Sequence, residues 1–319
     1  MIENTHGVIQ WFSMATLVTV GVCVRNSEHS VAEAIRTILK QDFPHEQMEL
    51  IVVDDGSEDN TLRVVRDLVS KTDICTKISN TEWRGLGYSR NTIVKEASGE
   101  YLVWVDGDMS LPSDHVSKQI EFMRNNPQAG IAKARYDIYP GENLIATLEN
   151  AAFIAVDYRF GGKPTTRTLG TGGSIYRVEA IRRVNGFDSD ISGTGEDMDA
   201  EYRVRKAGWS LYLGTPARFY ERRRRTWQEI WKEGVWHGYG VHNIIRKNTD
   251  ILALLKMTPM AGFVAGAWYS TLAFRAIHRK AVFLLPIQYS FKRVAWCVGF
   301  LKGQIKGNKQ HPSNNVSMK

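Results

Sequence analysis

Leu17 to Val24, LVTVGVCV, is an apolar run rich in Val and Thr, and it predicts a strand. SVAEAIRTILKQDF follows, with Val31, Ile35, Ile38 and Leu39 at helical spacing. LIVVDD is a short continuous apolar run, the pattern of a strand buried on both faces. TLRVVRDLVSK predicts a second helix. YSRNTIVKEASG predicts a third, ending at Gly99 as its C-cap. YLVWVD is the next strand. This βαβαβ rhythm predicts a parallel sheet with right-handed crossovers, which binds ligands beyond the carboxyl ends of its strands. Three predicted strand ends carry polar groups: Arg25-Asn26, Asp54-Asp55 and Asp106-Gly107-Asp108.

The pattern changes after Thr226. Trp227, Ile230, Trp231 and Val235 share one helical face, which suits either an interfacial helix or a helix packed on the body. MTPMAGFVAGAWYSTLAF, Met257 to Phe274, is uncharged over 18 residues and reaches the lower limit for a spanning helix, although Pro259 and its small residues weaken it. Ala281 to Phe291 is too short to cross and stops at Lys292-Arg293. These pieces predict a membrane-embedded or surface-lying hairpin, with QHPSNNVSMK disordered at the end. The chain divides into residues 1–225 and 226–319 on this basis. His237 and His242 lack a ligand-like set of partners and read as structural or exposed.

Charge sharpens that division. Arg222 to Lys319 holds 17 Lys/Arg against 3 Asp/Glu, while the first 221 residues hold 24 against 31. An acidic body with a basic tail predicts an anionic partner for the tail, either a membrane or a nucleic acid. The apolar 18-mer fits lipid better than RNA. With 319 residues, 43% of them hydrophobic, the chain can bury one large domain and an appendage. Cys23, Cys75 and Cys297 are widely spaced, form no zinc pattern and read as reduced thiols. Val8 to Val24 lacks the basic start and small-residue cleavage site of a signal peptide, and reads instead as the approach to the first strand.

Asp106 and Asp108 end an apolar strand, where unpaired carboxylates are costly. A D-x-D pair can offer oxygen to Mg²⁺ or Mn²⁺, which keep positions open for phosphate and water. Gly107 leaves room for a close approach; a plain Asp-Gly turn fits the same three residues. Glu196, Asp197 and Asp199 open a predicted helix, where a capping box from Thr194 to Asp197 would also place acids well. Gly170, Gly172 and Gly173 suit either backbone close to a sugar or a simple loop.

VTVGVCVRNSE, ELIVVDDGSEDNT, RGLGYSRNTIVKEASGEYLVWVDGDMSLP, GTGGSIYRVEAIRRVNGFD and GEDMDAEYRVRKAGW, in that order over about 200 residues, resemble the family 2 glycosyltransferases. The resemblance implies an α/β GT-A fold, a nucleotide-sugar catalytic domain over 1–225, and a C-terminal helical membrane-association region over 226–319. It implies an inverting transfer from a UDP- or GDP-sugar to a hydroxyl or lipid-phosphate acceptor, a glycan or lipid-linked sugar, at the cytosolic membrane face. It places Asp54 and Asp55 at base and ribose, bordered by Val24 and Asn26. An Asx-turn and helix N-cap would also account for that DDGS segment. Arg90 is placed near the nucleotide or diphosphate, with a solvated helix position as its alternative. The resemblance places Mn²⁺ or Mg²⁺ on Asp106 and Asp108, the donor also touching Asp106, Gly172 and Gly173. Asp197 becomes the general base and Glu196 an orienting or acceptor-binding neighbour. The chain departs from the family at FYERRRRTW: Glu221 stands where a histidine is common and no Q-x-x-R-W is formed, which argues against processive synthesis. Arg222 to Arg225 could bind phosphate or form a collar facing anionic lipid. A nucleotide-sugar-binding protein without activity, an RNA-associated protein and a sugar-phosphate nucleotidyltransferase are the competing classes. The intact D-G-D and E-D motifs oppose the first. The glycine-rich signature of the last is missing near the first strand.

Overall fold

The computed structural model describes residues 16–139, 141–191, 195–247 and 254–309. Residues 1–15, which include the start of the Val8–Val24 apolar run, and 310–319, most of the tail expected to be disordered, lie outside them.

The first half forms as the pattern predicts. β1 is Val18–Val24, α1 Val31–Ile38, β2 Met48–Asp55 and α2 Thr61–Val69. Every residue of β2 is buried, as its continuous apolar run demands, and α1 buries Val31, Ala34, Ile35 and Ile38 along one stripe. β3, Cys75–Thr81, has no apolar run; as the edge strand it buries none of its seven residues. α3 spans Leu86–Glu96 and β4 spans Tyr101–Trp104. α3 ends at Ala97, not at Gly99. Gly99 serves packing instead, since a Cβ there would lie 2.7 Å from the backbone nitrogen of Thr19 in β1.

The chain continues through β5 Met109–Ser110, α4 His115–Asn125, β6 Ala129–Asp137, α5 Leu144–Phe160, β7 Lys163–Pro164, β8 Ser174–Arg177, α6 Val178–Arg183, α7 Glu196–Lys206 and β9 Ser210–Glu221. The sheet runs β3-β2-β1-β4-β8-β6-β9-β5, with β7 beside β9. It is mixed rather than all parallel. β1 to β4 pair in parallel, β8 enters antiparallel between β4 and β6, and β6 and β9 are again parallel. The carboxyl ends of β1, β2, β4 and β9 therefore open on one side. Two buried clusters flank the sheet, one around Ile35, Leu50 and Phe219 and one around Ile93, Trp104 and Tyr176.

α8 Trp227–Lys247, α9 Pro259–Ile277 and α10 Leu285–Lys309 complete the described chain. α9 and the start of α10 dock on α5, where Leu148, Ala151 and Ala155 pack with Ala273, Val282 and Leu285, and α8 packs on α10. Glu149 anchors the contact by accepting from Gln288 Nε2 at 2.9 Å and pairing with Lys292 at 2.8 Å. Trp227 and Trp231 turn to Phe291 of α10, with ring centroids 5.0 and 5.4 Å away, so this face of α8 packs on protein. Among the described residues no helix is long and apolar enough to cross a membrane, and the spanning expectation for Met257–Phe274 is not met. α9 buries its small residues Gly262, Gly266, Ser270 and Ala273 and leaves Met260, Phe263, Val264 and Trp268 exposed. The expected Ala281–Phe291 piece is split between a 3₁₀ turn, Lys280–Leu284, and the start of α10.

Candidate functional site

The three strand ends meet as expected. Val24 pairs with Asp54 across β1 and β2, and the nitrogen of Val105, just beyond β4, donates to the Gly21 carbonyl at 3.0 Å. Asn26, at φ +47°, accepts from Glu58 N at 2.8 Å, and its own N–H donates to Ser57 Oγ at 2.9 Å. It thus ties the end of β1 to the loop after β2. Asp54 is buried and accepts from Ser57 N, three residues on, at 2.8 Å, which closes the DDGS loop without the two-residue Asx-turn expected there; its Oδ2 is buried without a partner among the described residues. That segment does not supply the N-cap of α2, which is Asn60.

Asp55 accepts from the N–H groups of Arg84 and Gly85 at 2.9 and 3.0 Å, fixing the loop that enters α3. It also lines a cavity of about 520 Å³ with Cys23, Val24, Arg25, Trp83 and Arg84. Arg25 stacks over Trp83 at 4.7 Å and Arg84 over Tyr88 at 4.0 Å, so flat cationic and aromatic surfaces frame the mouth. The sequence reading missed this frame. Its signal was the WR pair two residues ahead of α3.

Asp106 and Asp108 are half-buried, and neither has a cation within ion-pair distance among the described residues. Burial, then Glu221 and Asp106, push the Asp108 carboxyl up to about 7. Glu221 arrives beside them because β9 pairs Glu221 with Met109 of β5. No group of three metal-ligating side chains occurs among the described residues. Two carboxylates with no cation beside them nevertheless suit a hard cation that takes its remaining ligands from phosphate and water. Gly172 supports that fit, since a Cβ there would lie 2.5 Å from Asp106 Oδ2. Only a glycine leaves that carboxylate room.

Gly170 faces the other carboxylate of interest: a Cβ there would lie 3.7 Å from Asp197 Oδ2. Two residues of chain span roughly 7 Å. Asp106 and Asp197 therefore flank one short glycine segment. Gly173, at φ +71°, presses on the Phe219 ring and serves packing. Lys133, buried in β6, holds this segment by donating to the carbonyls of Gly172 at 2.5 Å and Gly170 at 3.4 Å. Glu201 holds it from α7, accepting from Leu169 N at 2.8 Å and Gly170 N at 2.7 Å; burial pushes its carboxyl up to about 8. Neither residue was read from sequence. A lone lysine in IAKARYD and an acid four positions after Asp197 were the available signals.

The N-cap of α7 is Gly195 in a left-handed conformation, with no side-chain cap; Thr194, on which the expected capping box depends, lies outside the described residues. Asp197 is half-buried at the positive end of α7 and accepts from Met198 N at 2.7 Å. Asp199, third of the acids that open this helix, is turned to Arg203 at 2.8 Å. Glu196 is buried against the Arg90 guanidinium, which also donates to Thr171 and faces the Phe187 ring at 5.6 Å. Arg90 is thus not a solvated helix residue. Burial alone would lower its pKa, but Glu196, then Asp197 and Asp106, more than offset burial and raise it. The arginine collar is also largely spent: Arg222 pairs with Glu33, Arg223 with Glu221 and Arg224 with Glu233.

The model of the family described as "Glycosyl transferase family 2" matches residues 19–184. The chain is 36% identical over 94 residues to the poly(ribitol-phosphate) beta-N-acetylglucosaminyltransferase TarS of Staphylococcus aureus, covering 30% of this chain and 16% of that protein. It is 25% identical over 260 residues to the poly-beta-1,6-N-acetyl-D-glucosamine synthase of Staphylococcus epidermidis, covering 78% of this chain and 58% of that one. It therefore spans well under two thirds of these relatives. A solved mannosyltransferase from Pyrobaculum calidifontis, in complex with GDP-Man and Mn²⁺, superposes with a TM-score of 0.65 at 19% identity, over 91% of this chain and 87% of that one, and shares the fold. With the family's model covering more than half of its length, and every motif set in one GT-A-like α/β sheet, the chain belongs to glycosyltransferase family 2.

Proposed function

We propose that this protein is an inverting glycosyltransferase that moves a sugar from a nucleoside diphosphate to an acceptor hydroxyl. One observation carries the reading: the Gly170–Gly172 segment runs from Asp197 to Asp106, so a candidate base and a candidate phosphate-side carboxylate flank one short glycine segment.

The base and ribose of the donor fit the 520 Å³ cavity bordered by Val24, Asp55, Trp83 and Arg84, with Asn26 and Asp54 shaping its floor from behind. Asp106 and Asp108 would hold Mn²⁺ or Mg²⁺, which when bound neutralises charge on the departing nucleoside diphosphate. Asp197 takes the acceptor proton. It stands in the first turn of α7, half-buried beside Gly170, where an acceptor hydroxyl can reach it. Glu196 is a positioning residue, its carboxylate committed to Arg90, and the pair holds the start of α7 against α3. A base across the sugar from the leaving group gives direct displacement with inversion. The solved Pyrobaculum mannosyltransferase, with its GDP-Man and Mn²⁺, supports both donor class and metal.

We also propose that the protein works on an anionic membrane surface, at its cytosolic face, through residues 226–319. The reversed α9, small side inward and large apolar side outward, supports this, because lipid can cover what water would not. The test is release of UDP or GDP from a panel of nucleotide sugars with Mn²⁺ or Mg²⁺. Release dependent on the metal and on Asp197 is expected. No release from any donor, with no calorimetric binding of either nucleoside diphosphate, overturns the reading.

A further inference from the structure

A second cavity, of about 560 Å³, lies between the catalytic sheet and the C-terminal helices. Its walls come from β6, α5, the Arg167–Leu169 segment, α9 and α10. Five cations line it: Lys133, Arg167, Lys256, Lys292 and Arg293. A single carboxylate lines it, Asp157, whose Oδ2 accepts from Tyr136 N at 2.8 Å and whose carboxyl burial pushes up to about 7. Lys292 is neutralised by Glu149 from behind, and Lys133 is engaged by the glycine carbonyls. Among the described residues, Arg167, Lys256 and Arg293 have no carboxylate within ion-pair distance. The contacts of the two arginines are weak: Arg293 Nη1 reaches Met257 Sδ at 2.9 Å, and Arg167 Nη2 the Tyr269 hydroxyl at 3.4 Å. Arg293 is half-buried with no anion beside it, which is costly, and Arg167 and Lys256 stand exposed at the rim of the same cavity, so its lining carries a surplus of positive charge that suits an anion.

The rest of the lining is apolar and aromatic. Tyr269 and Tyr289 stand with ring centroids 5.7 Å apart, beside Ala261 and Ala265 of α9. One helical step from those alanines are the exposed Met260, Val264 and Trp268. The cavity thus lies beside the outward apolar face of α9 on the same helix. Its other end leads to the reaction centre, since Thr168 and Leu169 line it and Gly170 is the residue that faces Asp197.

We propose that this cavity binds the phosphate of a lipid-linked acceptor, with the phosphate among Arg167, Lys256 and Arg293 and the first lipid units along Tyr269, Tyr289 and α9. The inference rests on the transferase reading above and names its acceptor class. The acceptor is a sugar on a lipid phosphate. Its sugar hydroxyl lies beyond the Thr168–Gly170 wall at Asp197, and its lipid leaves over α9 toward the bilayer. The hydroxyl oxygen forms the new bond to the donor's anomeric carbon as its proton passes to Asp197. The bond from that carbon to the diphosphate breaks, and the electron pair leaves with the nucleoside diphosphate. A hydroxyl nucleophile needs a base, whereas an ionised phosphate would not; the phosphate serves as a handle.

The test uses farnesyl phosphate, farnesol and inorganic phosphate as probes of the full chain, by calorimetry in dilute detergent. Arg293→Met keeps packing volume and removes charge; Arg167→Gln does the same at an exposed position where folding is not at stake. Farnesyl phosphate should bind, farnesol should bind roughly tenfold more weakly or worse, and each variant should lose roughly tenfold in farnesyl phosphate affinity while UDP or GDP binding is unchanged. Equal binding of farnesol and farnesyl phosphate, or variants that bind as the parent does, overturns the phosphate site. Inorganic phosphate that displaces farnesyl phosphate at equal concentration overturns the lipid assignment. The two readings fail separately: farnesyl phosphate binding without any donor turnover would leave the cavity assignment standing and remove the transferase reading.

Discussion

The guanidinium of Arg90 is buried against the carboxylate of Glu196, a contact between residues 106 positions apart. It fastens α3 to the first turn of α7, where Asp197 is the next residue. The E-D pair therefore divides its work. One acid turns inward to an ion pair, and its neighbour is left half-buried beside Gly170.

Breaking that ion pair on one side should be costly. Arg90→Met leaves an unpaired buried carboxylate and should destabilise the fold by about 3–5 kcal/mol. Arg90→Met with Glu196→Leu removes both charges and should recover much of the loss. Urea unfolding midpoints of the single and double variants check this; a double variant no better than the single would show that packing, not charge, sets the cost.

Asp197→Asn should lower sugar transfer by on the order of 10²–10⁴ while nucleoside diphosphate binding persists. A loss of stability measured beside activity separates the base from a helix-capping role, which would lower stability by about 1 kcal/mol and spare turnover. Transfer at the parent rate would reassign the base.

Asp106→Asn and Asp108→Asn should each weaken metal-dependent UDP or GDP binding. Gly172→Ala should reproduce the Asp106 defect without touching a carboxylate, because its new Cβ would sit 2.5 Å from Asp106 Oδ2. Calorimetry with and without Mn²⁺ reads all three. Binding unchanged in both Asn variants would remove the metal assignment.

His115 gives a pH signature away from the site. It is fully buried under β9, and its Nδ1 lies 2.6 Å from the Arg218 carbonyl, which can only accept, so Nδ1 carries the proton. Nε2 is buried with no partner, and burial lowers the pKa from 6.5 to about 4. A depressed folded pKa means that the unfolded chain binds the extra proton first. The stability contribution is complete above about pH 6.5 and is lost as pH falls toward 4, amounting to about 3 kcal/mol. His115→Asn keeps the donor to Arg218 and cannot titrate. Its unfolding midpoint should change less than the parent's between pH 7 and 4.5, and identical slopes would show that His115 is not the sensing group.

The full chain should bind anionic vesicles through the outward face of α9, and part of that binding should survive high salt because apolar contact is not screened. Val264→Asp with Phe263→Asp should abolish the salt-resistant part in vesicle sedimentation. Binding lost entirely in salt by the parent would mean that charge alone attaches it.

The sequence by itself determined much of the first half of the sheet. Short-range periodicity and strand-end polarity are local properties, so β1, β2, β4, α1, α2 and the convergence of Asn26, Asp55 and Asp106 were legible along the chain. Only the tertiary structure decided what depends on distant partners. β3 is an edge strand of CTKISNT, and no pattern in it announces pairing. The antiparallel insertion of β8 has no local signature either. Arg90 read as a solvated helix residue or a diphosphate ligand until the fold brought Glu196 and Thr171 to it. Arg222, Arg223 and Arg224 read as free charge until Glu33, Glu221 and Glu233 met them. The tail shows the same limit. An 18-residue uncharged run measures apolarity, not the direction its side chains face, and docking on α5 and α10 turned the small side of α9 inward and its large apolar side out.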